Sequence, residues 1–229
     1  MQIIRFLYLF IWVIFLPEFI KNCIVFIVIW YRYDSKKALR WVCDIDLLQL
    51  LNRTIRLSTK NIIGPNVTLD GNITIGRHSY INGYSEIIAS KKYPITIGNF
   101  CCIARNCFII SYSHHNLKQL SISTNIHANI KNTEYGAPIS IGNDVWIGAN
   151  VTILPWVTLW DGVVIGAGSI VLKDIPAYAV AVGNPAKVVK YRFNESTIQK
   201  LLQGKWWEKD MKLICEQFSE FTECSLEHK

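Results

Sequence analysis

The stretch Ile141-Gly-Asn-Asp-Val-Trp-Ile-Gly-Ala-Asn-Val-Thr-Ile-Leu-Pro155 carries an aliphatic side chain at every sixth residue, and the spacing extends in both directions. Toward the C-terminus it runs on through Leu159, Ile165 and Val171. Toward the N-terminus, across a gap, it resumes at Ile109, Ile103 and Ile97, and then at Ile87, Ile81, Ile75, Leu69 and Ile63. Two residues before these positions stand mostly small or β-branched side chains: Val67, Ile73, Ser79, Ser85, Ile95, Cys101, Cys107, Ile139, Val145, Val151, Val157, Val163 and Ser169. Residues two apart on an extended segment point the same way, so each hexad predicts a very short strand with two inward side chains and then a bend. Gly64, Gly76, Gly98, Gly142, Gly148 and Gly166 follow the aliphatic position, where a turn is expected to want a residue without a Cβ. Three hexads close one triangular coil, and stacked coils make a prism.

The rest of the composition agrees with a globular body. The chain has 229 residues, 51% apolar and only 18% charged, which excludes a disordered chain; 13 Gly and 7 Pro are too few for a fibrous one. Seven cysteines without a Cys-x-x-Cys pair signal neither a disulfide framework nor a thiolate zinc site, and the thiols read as reduced and cytosolic.

Charge and grease concentrate in the first quarter. Residues 1–60 hold nine of the basic side chains against four acidic ones, most of the net +7. Phe6 to Leu16 and Cys23 to Tyr31 are unbroken apolar runs, separated by Pro17, Glu18, Lys21 and Asn22. A single spanning helix would have to tolerate those interruptions, so two segments dipping into one leaflet fit better. A cleavable signal peptide lacks its small-residue cleavage site, whereas an apolar helix pair covering the fold is the bland alternative. Arg32, Lys36, Lys37 and Arg40 directly follow the apolar run, where anionic head groups attract cations. The expectation is a membrane-associating segment over 1–40 and a linker or helix over 41–60. The β-helix is expected over 61–190, with an inserted loop at 111–138, and a helical tail over 191–229.

The hexads, together with Val164-Ile-Gly-Ala-Gly-Ser, Lys173-Asp-Ile-Pro and Gly183-Asn-Pro-Ala-Lys-Val, resemble the signature region of the hexapeptide-repeat acyltransferases. The tail Tyr191-Arg-Phe-Asn-Glu-Ser-Thr-Ile-Gln-Lys-Leu-Leu with Trp206-Trp207 is similar to the xenobiotic branch of that superfamily. The resemblance implies a left-handed parallel β-helix with a C-terminal helix. It also implies a homotrimer with sites between neighbouring prisms, and acetyl-CoA as co-substrate. Its groove would be lined by Gly148, Ala149, Gly166, Ala167 and Ser169, with Asn184 and Pro185 in the same signature, and with Lys173 and Lys187 toward the CoA phosphates. Trp156 and Trp160 fall where family members commonly carry Gly, so the local turns are expected to depart from the family's.

The long polar insertion at 111–138 contains His114, His115 and His127. Long loops in compact domains are usually functional or disordered. Counting hexads from Ile97 puts His114 where maltose O-acetyltransferase-like members carry a catalytic histidine, and His115 is the neighbouring alternative. A neutral imidazole there would take the proton of an attacking hydroxyl. Trp146 packs over a coil edge or, as the matching tryptophan does in capsule sialic-acid O-acetyltransferases, lies in the active site. No carboxylate or thiolate pattern accompanies the histidines, so no metal is expected. Cys101, Cys102 and Cys107 read as interior fillers.

The reading these signals favour is an acetyl-CoA-dependent O-acetyltransferase acting on a sugar hydroxyl of a bacterial surface glycan or glycolipid, at the cytoplasmic face of the inner membrane. A xenobiotic O-acetyltransferase and a non-catalytic β-helix are the alternatives. Nucleic-acid binding is disfavoured, because the positive charge adjoins an apolar segment and no nucleic-acid motif is present.

Overall fold

The computed structural model describes residues 44–45, 55–115 and 134–214. The apolar segment 1–40, His127 and the end of the tail lie outside the described residues. Short strands stack in parallel into three faces of six, five and seven strands among the described residues. The repeat sets the register: Ile63 pairs with Ile81, Ile81 with Ile103, Ile103 with Ile147 and Ile147 with Ile165, all on the seven-stranded face. Ile87, Ile109, Ile153 and Val171 line up in the same way on the six-stranded face. Every aliphatic hexad position from Ile63 to Val171 is buried, as is its partner two residues earlier from Val67 to Ser169. Strands begin before residue 61, since Ile55–Leu57 pairs with Ile73–Ile75 and Asp44–Ile45 with the strand Thr68–Asp70.

The few polar groups inside bridge one coil to the next. Ser79 Oγ donates to Gly98 O at 2.9 Å and accepts from Cys101 N at 3.0 Å; Ser85 repeats the pattern with Ala104 O and Cys107 N. Along one edge the side-chain oxygens of Asn99, Asn143 and Asp161 each accept a backbone N–H from the coil below, from Arg77, Asn99 and Asn143 in turn. Buried N–H groups at the corners therefore find partners although no ladder runs there.

The corners differ from expectation in two ways. The glycines after the aliphatic position do not adopt positive φ; they are needed because coils touch there. A Cβ on Gly98 would fall 2.4 Å from Gly142 O, and one on Gly148 would fall 2.6 Å from Ala167 N. At most corners the left-handed residue is instead the one three positions before the aliphatic: Lys60, Asn66, His78, Tyr84, Phe100, Asn106, Asp144, Asn150 and Trp156, with φ from 54° to 67°, and Gly162 and Gly168 at 71° and 72°. Trp156 at φ 67° thus makes the same turn as the other corners, and the expected departure is not found. Trp160 is not left-handed; its backbone N–H donates to Ile175 O in the irregular segment above, and its side chain is 54% exposed.

At the far end the last strand, Lys187–Tyr191, turns back antiparallel to Ala179–Val182, with a shift in register between Val180 and Ala181. The chain then forms the helix Glu195–Gly204, whose N-cap Asn194 accepts from Thr197 N, as helix starts with a free side-chain oxygen commonly do. Ile198 and Leu201 bury against Tyr178, and the tail returns down the corner column of His78, Phe100 and Asp144. Arg77 donates to Trp207 O and Lys209 O, and the Phe100 ring lies between His78 and Trp206. Among the described residues no helix is long and apolar enough to cross a membrane.

Candidate active site

The loop expected at 111–138 leaves the prism at the edge between the six- and five-stranded faces, after the strand Phe108–Ile110 and before Ile139–Ile141. Its two feet are zipped together: Tyr112–Ser113 pairs antiparallel with Tyr135–Gly136. Ser111 is buried and its hydroxyl donates to Tyr93 O at 2.6 Å. That foot presents both histidines to solvent. The His114 ring meets the Tyr112 ring edge-on at 5.3 Å, and His115 N donates to Ser113 Oγ at 3.1 Å. Burial, with Asp70 and Glu134 adding their charges, holds the Tyr112 hydroxyl above its ordinary range. Tyr112 and Ser113 were not singled out in the sequence; the alternation of small and aromatic residues just before the histidine pair was the available signal.

The residues expected to hold acetyl-CoA fall mostly on a different edge, between the seven- and six-stranded faces. Gly148-Ala149, Gly166-Ala167 and Gly183-Asn184-Pro185 occupy successive corners there, joined by Gly148 N to Ile165 O, Gly166 N to Ala181 O and Gly168 N to Ala149 O. Ala167 and Gly168 are exposed, and Gly168, at φ 72°, has no heavy atom within 4 Å of where a Cβ would stand. Ser169 is buried; its hydroxyl donates to Gly166 O at 2.6 Å and accepts from Gly183 N at 3.0 Å, so its side chain fastens this corner from inside. Asn184 precedes Pro185 in a cis peptide, and Lys187 starts the reversed strand just beyond. Lys173 is not with them: it lies on the edge that emits the loop, next to Asp174, whose carboxylate accepts from Thr158 N.

Trp146 sits on the seven-stranded face, in register between Cys102 and Val164, with 54% of its surface exposed. That face is opposite the edge that emits the loop. A single chain therefore brings His114 and His115 together, and the glycine corners together, but places Trp146 on the far side from the histidines. Cys101 and Cys107 are buried as expected; Cys102 points outward and is half-buried. No group of three or more potential metal ligands occurs among the described residues.

A model of the bacterial transferase hexapeptide, six repeats, matches residues 138–173. A chloramphenicol acetyltransferase of Agrobacterium fabrum is 34% identical over 157 residues, 59% of this chain and 75% of that protein. The chain belongs to the hexapeptide-repeat acyltransferases. The galactoside O-acetyltransferase of Escherichia coli K12 is 44% identical to this acyltransferase over 123 residues, covering 52% of this chain and 54% of its own. A galactoside acetyltransferase solved in complex with coenzyme A superimposes with a TM-score of 0.51 at 31% identity, covering 77% of this acyltransferase and 85% of that chain. The fold, the repeat and the enzyme class thus agree.

Proposed function

We propose that this acyltransferase moves an acetyl group from acetyl-CoA to a hydroxyl of a surface-glycan sugar, with His114 or His115 as general base. The observation that carries the reading is the exposed histidine pair held at the foot of the loop by Tyr112 and Ser113. The imidazole takes the hydroxyl proton as the sugar oxygen bonds to the thioester carbonyl carbon; collapse of the tetrahedral intermediate expels CoA as its thiolate, which takes up a proton. No acyl-enzyme forms; Cys101 and Cys107, whose thiols would carry a thioester, are buried.

Acetyl-CoA lies along the corners Gly148-Ala149, Gly166-Ala167 and Gly183-Asn184-Pro185, with Lys187 toward the phosphates; Ser169 shapes that edge from within. The homotrimer expected of the family accounts for the separation within one chain: a neighbouring prism supplies the face carrying Trp146, and the neighbour's edge brings Lys173 within reach. Residues 1–40, apolar and basic-flanked, hold the enzyme at the cytoplasmic face of the membrane, where lipid-linked acceptors gather.

The likeness to chloramphenicol acetyltransferases supports a second reading, a drug O-acetyltransferase. One experiment separates them. CoA release is followed with detergent-solubilised protein, acetyl-CoA and either a membrane glycolipid extract or chloramphenicol, for wild type, His114→Ala, His115→Ala and a chain lacking residues 1–35. Glycolipid-dependent turnover that falls by about 10²-fold or more in one histidine variant supports the proposal. Turnover of the drug alone, undiminished by the truncation, supports the rival, and indifference to both histidines removes the loop from the chemistry.

A further inference from the structure

Trp156 is 66% exposed, held at φ 67°, and unaccounted for by the core, the tail or the cofactor corners. A left-handed backbone is costly for a bulky side chain, so the fold alone would be better served by Gly at this corner. Its position is informative. Ile153 pairs with Ile109 and Thr158 with Ser140, so counting outward from these registers sets Trp156 one coil above Tyr112 and Pro138, over both feet of the loop. The indole and the His114–Tyr112 ring pair therefore share one edge of the prism. Phe100 makes the same kind of corner, but its ring is sandwiched by His78 and Trp206 and so stabilises the tail.

We infer that Trp156 is the acceptor platform, a specificity-determining residue on which a pyranose ring lays its C–H face while one hydroxyl is presented to the histidine. An indole face is broad, rigid and apolar with a polar N–H at its rim, which suits a ring that is greasy on its faces and hydroxylated around its edge. Holding the ring fixes which hydroxyl lies within hydrogen-bond reach of the base. The inference rests on the glycan reading above and deepens it by naming a residue that selects the acceptor.

The test compares wild type, Trp156→Gly, Trp156→Phe and Tyr84→Gly. Tyr84 is a control for a left-handed, exposed aromatic away from the histidines: it is 64% exposed and stands between Tyr80–Ile81 and Glu86–Ile88, on the edge of the glycine corners, so its readout is the pyranoside KM. Acetyl transfer is measured on methyl pyranosides of galactose, glucose and N-acetylglucosamine and on chloramphenicol, and melting temperature is recorded for each protein. The expected result is a KM for the pyranoside raised roughly tenfold or more in Trp156→Gly, partly restored in Trp156→Phe. In Trp156→Gly the KM for acetyl-CoA should stay unchanged, with a melting temperature equal to or above wild type, and Tyr84→Gly should leave the pyranoside KM as in wild type. An unchanged pyranoside KM in Trp156→Gly, or an equal change in Tyr84→Gly, overturns the platform while leaving the glycan reading intact. Transfer to chloramphenicol alone, or to no acceptor, overturns the glycan reading, and the platform falls with it.

Discussion

Arg192 Nη1 donates to Asp144 Oδ2 at 2.8 Å and to Gly162 O at the same distance, fastening the start of the C-terminal tail to two successive corners of the prism. The guanidinium also lies against the rings of Tyr178 and Phe193. Burial pushes the Asp144 carboxyl above its ordinary range, and Arg192 offsets part of that shift. Arg192→Leu should cost roughly 1–3 kcal/mol, because it leaves a desolvated carboxylate unpaired. A raised carboxyl pKa means that the charged form is the strained one, so acidification from pH 7 should narrow the gap between variant and wild type. Melting curves across pH check this; a constant or widening gap would contradict it.

His78 titrates with the opposite consequence. Burial, then the charges of Lys60 and Arg77, hold its imidazole below 6.5, so the folded chain binds fewer protons there than the unfolded one. Stability from this group is complete above about 6.5 and declines as pH falls through the interval down to the folded value. His78→Asn tolerates the left-handed corner and should flatten the fall between pH 7 and 5 while lowering stability at pH 7 through loss of the stacking on Phe100. Parallel stability profiles for the two proteins would refute the assignment.

Two glycines make a discriminating pair. Gly98→Ala forces a Cβ to within 2.4 Å of Gly142 O and should cost about 2–3 kcal/mol, since the obstacle is the backbone of the next coil. Gly168→Ala meets open space and pays only for φ 72°, about 1 kcal/mol. Chemical denaturation of the two variants gives the ranking directly, and the reverse order would mean that turn geometry, not coil contact, sets the glycine requirement.

The thiols offer a test of burial. Cys101 is pushed up to about 12 by its apolar surroundings, and Cys107 is also raised by burial. Neither should react with iodoacetamide at pH 8 until denaturant is added, because the thiolate is the nucleophile. Peptide mapping by mass spectrometry locates the label; modification of Cys101 in the native protein would show that the prism opens far more readily than its packing implies.

The coil geometry was readable from the sequence because a period of six ties every inward position to the one beneath it, and Ile63 to Val171 obey it on either side of the breaks between Ile87 and Ile97 and between Ile109 and Ile141. The histidine pair was readable because it interrupts that period. The corner at Trp156 was misjudged for a physical reason: left-handed turns here are filled by Asn, Asp, Lys, His and aromatics as well as Gly, so residue type does not report the φ that the stacked coils impose. The edge of Lys173 was hidden too, because adjacency in a motif says nothing about which corner of a triangle a residue turns. Arg192 and Asp144 are 48 residues apart with no repeat linking them, and only the return of the tail brings them together.

The reversal of the final strand has a consequence for assembly. A stack of parallel coils presents at its last layer the same row of free backbone groups that recruited each layer before it, an open growth front onto which another chain's strands could add. On the seven-stranded face Lys187–Tyr191 occupies that front running the wrong way, with its register broken between Val180 and Ala181 and with Lys187 and Lys190 along it. A further parallel coil finds neither matching direction nor matching spacing, and meets cations at the border. On the seven-stranded face the five residues that end the sheet also terminate its power to template, so that there a fold built by repetition stops at a finite length.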